Sequence, residues 1–254
     1  MFPRSVLITG ANRGIGLEMV RQMLASSAAP ACLIATHRSS PGSGSVVSLE
    51  ELKSRHSNLH LVQLDVVSDR SIQSAAEVVT GLLGDTGLNL LINNSGYAQR
   101  TTCLGQVTSD SLLAHFHVNA VGPIMVLKAL KPLLEKAAVA ASSKSEYGIQ
   151  RAAVVHIAST LGSLTNACVE MRMDEYRASK AALNMLGRQV GFELLQAGIV
   201  SLLLHPGWVK TDMGTEDAPL TPSASVASMF ERMAELNKEK SGTLIDYTGR
   251  VLPW

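Results

Sequence analysis

Short apolar runs alternate with longer stretches of helical period from one end of the chain to the other. Strands are predicted at Val6–Thr9, Ala31–Thr36, Leu59–Leu64, Leu88–Ile92, Ala152–Ile157, Val200–Leu204 and Leu244–Asp246. Each run is nearly all apolar and lacks the alternation of a half-exposed strand, as expected when both faces are covered. Between them, apolar positions recur at helical spacing over 14–27, 69–83, 109–136, 175–197 and 223–239. This alternation implies right-handed crossovers and a parallel sheet with helices on both faces. Two stretches interrupt it. Arg38–Val47 is small and polar and reads as a surface loop. Ala137–Gln150, rich in Ala, Ser and Lys, reads as a solvent-exposed extension. The alternation resumes after each and no internal repeat is visible, so residues 1–254 are expected to form one domain.

Composition narrows the function classes. With 254 residues and 46% apolar content, the chain has material for a continuous core, which excludes a disordered or fibrous class. Its 22 basic and 21 acidic residues argue against a dedicated nucleic-acid binder, and 4% aromatics argue against stacking platforms for single strands. Cys32, Cys103 and Cys168 form no Cys-x-x-Cys pair, so they read as buried free thiols in a reducing compartment. The start Met1-Phe2-Pro3-Arg4 enters the first strand at once, leaving no room for a signal peptide. No apolar run approaches the roughly 20 residues of a membrane helix. A soluble, cytoplasmic protein without membrane or nucleic-acid partners is expected. No metal set is evident among the seven histidines: His115 and His117, two apart on a helical segment, diverge.

The first strand runs into Thr9-Gly10-Ala11-Asn12-Arg13-Gly14-Ile15-Gly16 and then a helix. Glycines at such a turn let the backbone bend sharply and approach a pyrophosphate with no Cβ in the way. The helix N-terminus adds unpaired N–H groups and the positive end of its dipole. The strand before and helix after point to a dinucleotide. A carboxylate about 20 residues beyond the glycines would bind the ribose hydroxyls of NAD. Here that place holds Ala35-Thr36-His37-Arg38, with no acid. Arg13 and Arg38 can instead converge on a 2′-phosphate, so NADP(H) is expected over NAD(H).

Tyr176 and Lys180 stand four apart at the start of a long helical pattern, hence on one helix face. A phenol of ordinary pKa near 10 is a poor acid–base group at neutral pH, and a nearby ammonium would lower it. Alone such a pair is commonplace; its weight comes from order. The glycine turn, Asn93-Asn94-Ser95-Gly96 after the fourth strand, Ser159 after the fifth, and Tyr176-x-x-x-Lys180 follow one another along the chain. In these motifs the chain resembles the short-chain dehydrogenase/reductase family over nearly its whole length. More narrowly it is similar to carbonyl reductases of the sniffer and C-factor type, through His205–Met213 and the ending Asp246–Trp254.

The resemblance implies a single-domain, doubly wound α/β fold of Rossmann type, whose seven parallel strands match the seven predicted here. It implies an NADPH-dependent carbonyl reductase acting on small or medium aldehydes, ketones or quinones. Tyr176 would protonate the carbonyl oxygen as hydride arrives, and Lys180 would lower the tyrosine pKa and hold the nicotinamide ribose. Ser159 would bond the substrate oxygen, and Asn119 would support a water leading to the lysine. The cofactor contacts implied are Gly10, Asn12, Arg13, Gly14, Ile15, Gly16, Arg38, Asp65, Val66, Asn94, Gly96, Tyr176, Lys180, Pro206, Gly207, Val209 and Thr211. Dimers or tetramers are common in the family. One departure concerns spacing: 176 − 159 = 17 residues separate Ser159 from Tyr176, a few more than usual. The excess lies within Thr165–Asp174, where Met171 and Met173 could line a substrate pocket. The segment Thr211–Ser225 is short, bounded by Pro219 and Pro222, which implies an open site and a broad substrate range. Two other readings stand beside the reductase. A catalytically silent NADP(H) sensor or scaffold would have no chemical need of Ser159, Tyr176, Lys180 and Asn119 together. An NAD-linked alcohol dehydrogenase is disfavoured by the missing acid.

Overall fold

The computed structural model describes residues 1–39, 46–99, 103–141, 147–168 and 172–254. Seven strands form one parallel sheet: β1 (Ser5–Ile8), β2 (Cys32–His37), β3 (Leu59–Gln63), β4 (Leu90–Asn93), β5 (Ala153–Ile157), β6 (Val200–His205) and β7 (Thr243–Asp246), in the order β3-β2-β1-β4-β5-β6-β7. The seven predicted runs are these strands, with ends displaced by up to two residues. A strand end is set by its hydrogen-bonded neighbour, which the apolar pattern does not record. β1, β4 and β5 are buried along their full length, which explains why they read as unbroken apolar runs.

The helices are α1 (Gly14–Ala25), α2 (Val47–Arg55), α3 (Asp69–Leu83), α4 (Ser109–Phe116), α5 (Gly122–Ala140), α6 (Asp174–Gln196) and α7 (Pro222–Ala234). One face of the sheet is covered by a core that includes Met19, Met23, Met229 and Met233 of α1 and α7. The other is covered by Ile72 and Val79 of α3 with Leu130 and Leu134 of α5. Each such fully buried side chain contributes about 1.5–3 kcal/mol relative to exposure. Local chemistry starts the helices: Ser68 accepts from the Ser71 N–H, Thr108 and Ser111 form a reciprocal capping box, and Thr221 accepts from the Ala224 N–H ahead of Pro222.

Four expectations are corrected. The helix expected over 109–136 is α4, a π-helical turn at His117–Val121, and α5 running on to Ala140. Ala137 and Ala138, expected in an exposed extension, are buried. The backbone of α5 presses there on Gly87, where a Cβ would stand 2.6 Å from the Leu133 carbonyl oxygen and 3.0 Å from the Ala137 Cα, and the φ of +71° also suits glycine. Ile149 is also buried, while positions 142–146 of that stretch lie outside the described residues. Further, α2 was not foreseen. Only Leu49 on it is buried, so its apolar signal is slight. Positions 40–45 of the loop before it lie outside the described residues. The helical run Ser109–Ala140 is 32 residues and apolar enough by length and composition to cross a membrane, contrary to the reading of the sequence. Its apolar side, including Val126, Leu127, Leu130 and Leu134, is buried in the core.

The strand order reverses between β1 and β4, so their carboxyl ends open a crevice there, the usual ligand position in such sheets.

Candidate active site

The crevice begins at the turn after β1. Gly10 and Gly14 have φ of +63° and +54°, a region open to glycine. A Cβ on Gly10 would stand 2.9 Å from the Ser95 Oγ, and one on Gly14 3.4 Å from the Thr211 Cγ2. Space at Gly10 and backbone angle at both glycines thus keep the turn a cradle of bare backbone. α1 starts without a side-chain cap, so its first N–H groups lack a side-chain partner at the crevice. Asn94 closes the far wall: its Nδ2 donates to the carbonyls of Thr9 and Gly10 at 2.9 and 3.1 Å, and its N–H to the Thr9 Oγ1 at 3.0 Å.

Of the predicted cofactor residues, Gly10, Asn12, Arg13, Gly14, Ile15, Arg38, Asp65, Val66, Asn94, Gly96, Tyr176, Lys180, Pro206 and Thr211 line one continuous cleft. Gly16, Gly207 and Val209 do not line it but shape it. Gly16 is buried where a Cβ would meet Asn94, Gly207 bends with φ of +85° against Leu220 and Tyr247, and Val209 is buried. Arg13 reaches across the opening to Asp212, 2.7 Å away. Tyr97, Val118 and Met213 line the same cleft and were missed by the sequence reading. Tyr97 directly follows the Asn93–Gly96 segment, and Met213 and Asp212 close the His205–Met213 segment, which was the available signal.

The residues expected to be catalytic gather where α6 meets the ends of β4 and β5. Asp174 and Glu175 open α6, acids at the positive end of its dipole. Asp174 is paired with Arg172. Lys180 is buried, and its Nζ donates to the Ile157 carbonyl at the end of β5 at 2.7 Å. Burial pushes the lysine down to about 8. Tyr176 stands beside it, with the lysine Nζ 5.8 Å from the ring centre. Burial pushes the phenol above its ordinary value, and a hydrogen bond with Ser159 draws it back. The lowering expected from Lys180 does not appear, because desolvation against the cleft wall disfavours the charged form of both groups. Ser159 is buried, and its Oγ also accepts from the Leu161 N–H at 3.1 Å. The turn after Ser159 lies tight on α6: a Cβ on Gly162 would be 2.7 Å from the Lys180 carbonyl carbon.

Asn119 lies on the π-helical turn, fully buried and behind the cleft wall. It accepts from the Tyr97 N–H at 2.8 Å and donates to the Tyr97 carbonyl at 2.7 Å and the Ser179 Oγ at 2.9 Å. Met171 lies outside the described residues, and Met173 precedes α6 with φ of +142°. All three cysteines are free, but none is buried as expected: Cys32 is half-buried, and Cys103 and Cys168 lie in surface segments and are exposed. Among the described residues no group of three or more His, Cys, Asp or Glu is placed to hold a metal ion.

Comparison with known proteins places these features in context. Residues 4–220 match the family model for short chain dehydrogenases. The C-signal protein of Myxococcus xanthus is 40% identical over 167 residues, covering 66% of this chain and 93% of that one. Among solved structures, the carbonyl reductase Sniffer of D. melanogaster superposes with a TM-score of 0.94 at 36% identity, covering 99% of this chain and 100% of that one. The NADPH-bound carbonyl reductase from chicken fatty liver gives 0.94 at 37% identity, covering 100% of both chains.

Proposed function

The chain belongs to the short chain dehydrogenase family, and from that premise we propose that it is an NADPH-dependent carbonyl reductase for small or medium aldehydes, ketones or quinones. We read residues 1–254 as one cofactor-binding domain of a soluble, cytoplasmic enzyme. The observation that carries the proposal is a single cleft. One end holds the glycine cradle with Arg13 and Arg38, and the other holds Tyr176, bonded to Ser159, beside Lys180.

The residues present suit NADP(H). The cradle admits a pyrophosphate against bare backbone, and two guanidiniums on the rim suit a 2′-phosphate. When bound, the cofactor supplies the hydride. Tyr176, held above its ordinary pKa, stays a phenol at neutral pH and is the group that gives a proton to the carbonyl oxygen. Ser159 orients that phenol and offers a hydroxyl to the developing oxygen charge. Lys180, fixed on the Ile157 carbonyl, holds positive charge next to the phenol as its proton leaves. Asn119 secures the Tyr97 backbone and, through Ser179, the start of α6.

The test is oxidation of NADPH against a panel of aldehydes, ketones and quinones, with Tyr176→Phe alongside. Loss of a general acid should lower kcat by about 10²–10⁴-fold with NADPH affinity retained. Undiminished activity in the variant would overturn the mechanism. Tight NADPH binding with no carbonyl reduced by the wild type would favour a sensor instead.

A further inference from the structure

A stripe of three polar side chains runs down the inner face of α4 and the π-helical turn: Ser111, His115 and Asn119, each four residues from the next. Its ends reach α6. The Ser111 Oγ donates to the Glu175 Oε1 at 2.7 Å, and Glu175 is a fully buried carboxylate next to Tyr176. Asn119 donates to the Ser179 Oγ, which in turn donates to the Tyr176 carbonyl at 2.8 Å. The middle and lower members also grip the segment after β4. Asn119 takes both backbone groups of Tyr97, and the Nε2 of His115 accepts from the Gln99 N–H at 3.0 Å.

The bonds of His115 fix its tautomer. A backbone N–H only donates, so Nε2 is the acceptor and the ring proton sits on Nδ1, which donates to the Ser111 carbonyl at 2.7 Å. The imidazole is fully buried, and it lies 4.6 Å, centre to centre, from the ring of Tyr97. Tyr97 in turn lines the same cleft as Tyr176 and Met213. A buried imidazole with both nitrogens committed to backbone costs more to bury than a leucine of similar size. It offers in exchange a fixed path for residues 97–99.

Resting on the proposed carbonyl reduction, we propose that His115 is a positioning residue. It sets the path of Tyr97–Gln99 relative to α6, and through it Tyr97 becomes the ring against which the carbonyl substrate packs.

Two variants separate the halves of this clasp. His115→Asn can keep the donor to Ser111 but falls short of the Gln99 N–H, while His115→Gln can place an acceptor where Nε2 lies. In His115→Asn, carbonyl kcat/KM should fall roughly tenfold, the scale of one buried N–H left without a partner. Most of the fall should be in KM, with the NADPH Kd unchanged and His115→Gln recovering toward wild type. Hydrogen exchange gives a readout independent of turnover. The Gln99 amide should lose protection in the Asn variant and regain it in the Gln variant, with the amide of Leu91 in β4 unchanged in both. Wild-type kcat/KM in His115→Asn, equal losses in both variants, or a parallel rise in the NADPH Kd would overturn the proposal. Should His115→Asn fail to fold, Tyr97→Leu decides, since it leaves the backbone bonds in place. A raised carbonyl KM is expected, and an unchanged one overturns the proposal. If the wild type reduces no carbonyl, the substrate role falls with the proposed function, and Gln99 exchange still decides the clasp.

Discussion

Acid should destabilise this protein well before its carboxylates are protonated, through His156. The side chain is fully buried in β5, where its Nδ1 lies 3.3 Å from the Asn93 Nδ2 and its Nε2 has no hydrogen-bond partner among the described residues. Burial, with the Lys180 charge nearby, holds it down to about 4 against an ordinary 6.5. The unfolded chain therefore binds a proton that the folded chain refuses. Stability is fully present above about pH 6.5, falls as the pH drops toward about 4, and levels off below. At roughly 1.4 kcal/mol per pH unit, the gap comes to about 3 kcal/mol from this one ring, a large share of a typical total of about 5–15 kcal/mol. His205, also held near 4 by burial although Asp246 works the other way, adds to the loss in the same window. Urea unfolding at steps between about pH 7 and about pH 4 measures it. His156→Asn should be less stable at neutral pH, yet its stability should fall less steeply, by about 1 kcal/mol per pH unit. Identical slopes in the two proteins would refute the reasoning.

Two further outcomes test the site. Burial pushes Lys180 down to about 8, so the charge proposed to support proton donation should be present below that pH and lost above it. Carbonyl kcat/KM should decline as the pH rises through about 8, and a flat profile there would count against a charged lysine beside Tyr176. Arg38→Ala should raise the NADPH KM roughly ten- to a hundredfold, the range of one lost charge-assisted hydrogen bond, and leave the NADH KM nearly unchanged. Equal effects on both cofactors would remove Arg38 from phosphate recognition.

The sheet was legible because β1, β4 and β5 are buried along their full length and therefore carry few polar positions. α2 was not, since one buried leucine leaves almost no periodic trace. The break between α4 and α5 was hidden for a different reason. A π-helical turn widens the backbone without changing the apolar character of His117–Val121 enough to register. The cleft residues that were legible sit at strand ends and glycine turns, where backbone geometry restricts the residue type. The roles of Tyr97, Met213 and His115 depend on which segments meet in space, and adjacency to the Asn93–Gly96 and His205–Met213 segments was the signal for the first two only. The Tyr176–Lys180 spacing correctly placed both on one helix face. It carried no information about burial, which decides the direction of the phenol's pKa.

The Arg13–Asp212 bridge bears on how an anion first senses this cleft. Both partners are mostly exposed, so the pair is screened by salt and adds little to stability. At long range it behaves as a dipole, whose field dies away faster than that of a lone charge. If the two rim arginines bind the 2′-phosphate as proposed, Arg38 supplies the larger share of the far field that draws a phosphorylated nucleotide inward, while Arg13 acts after arrival, once Asp212 can be exchanged for phosphate.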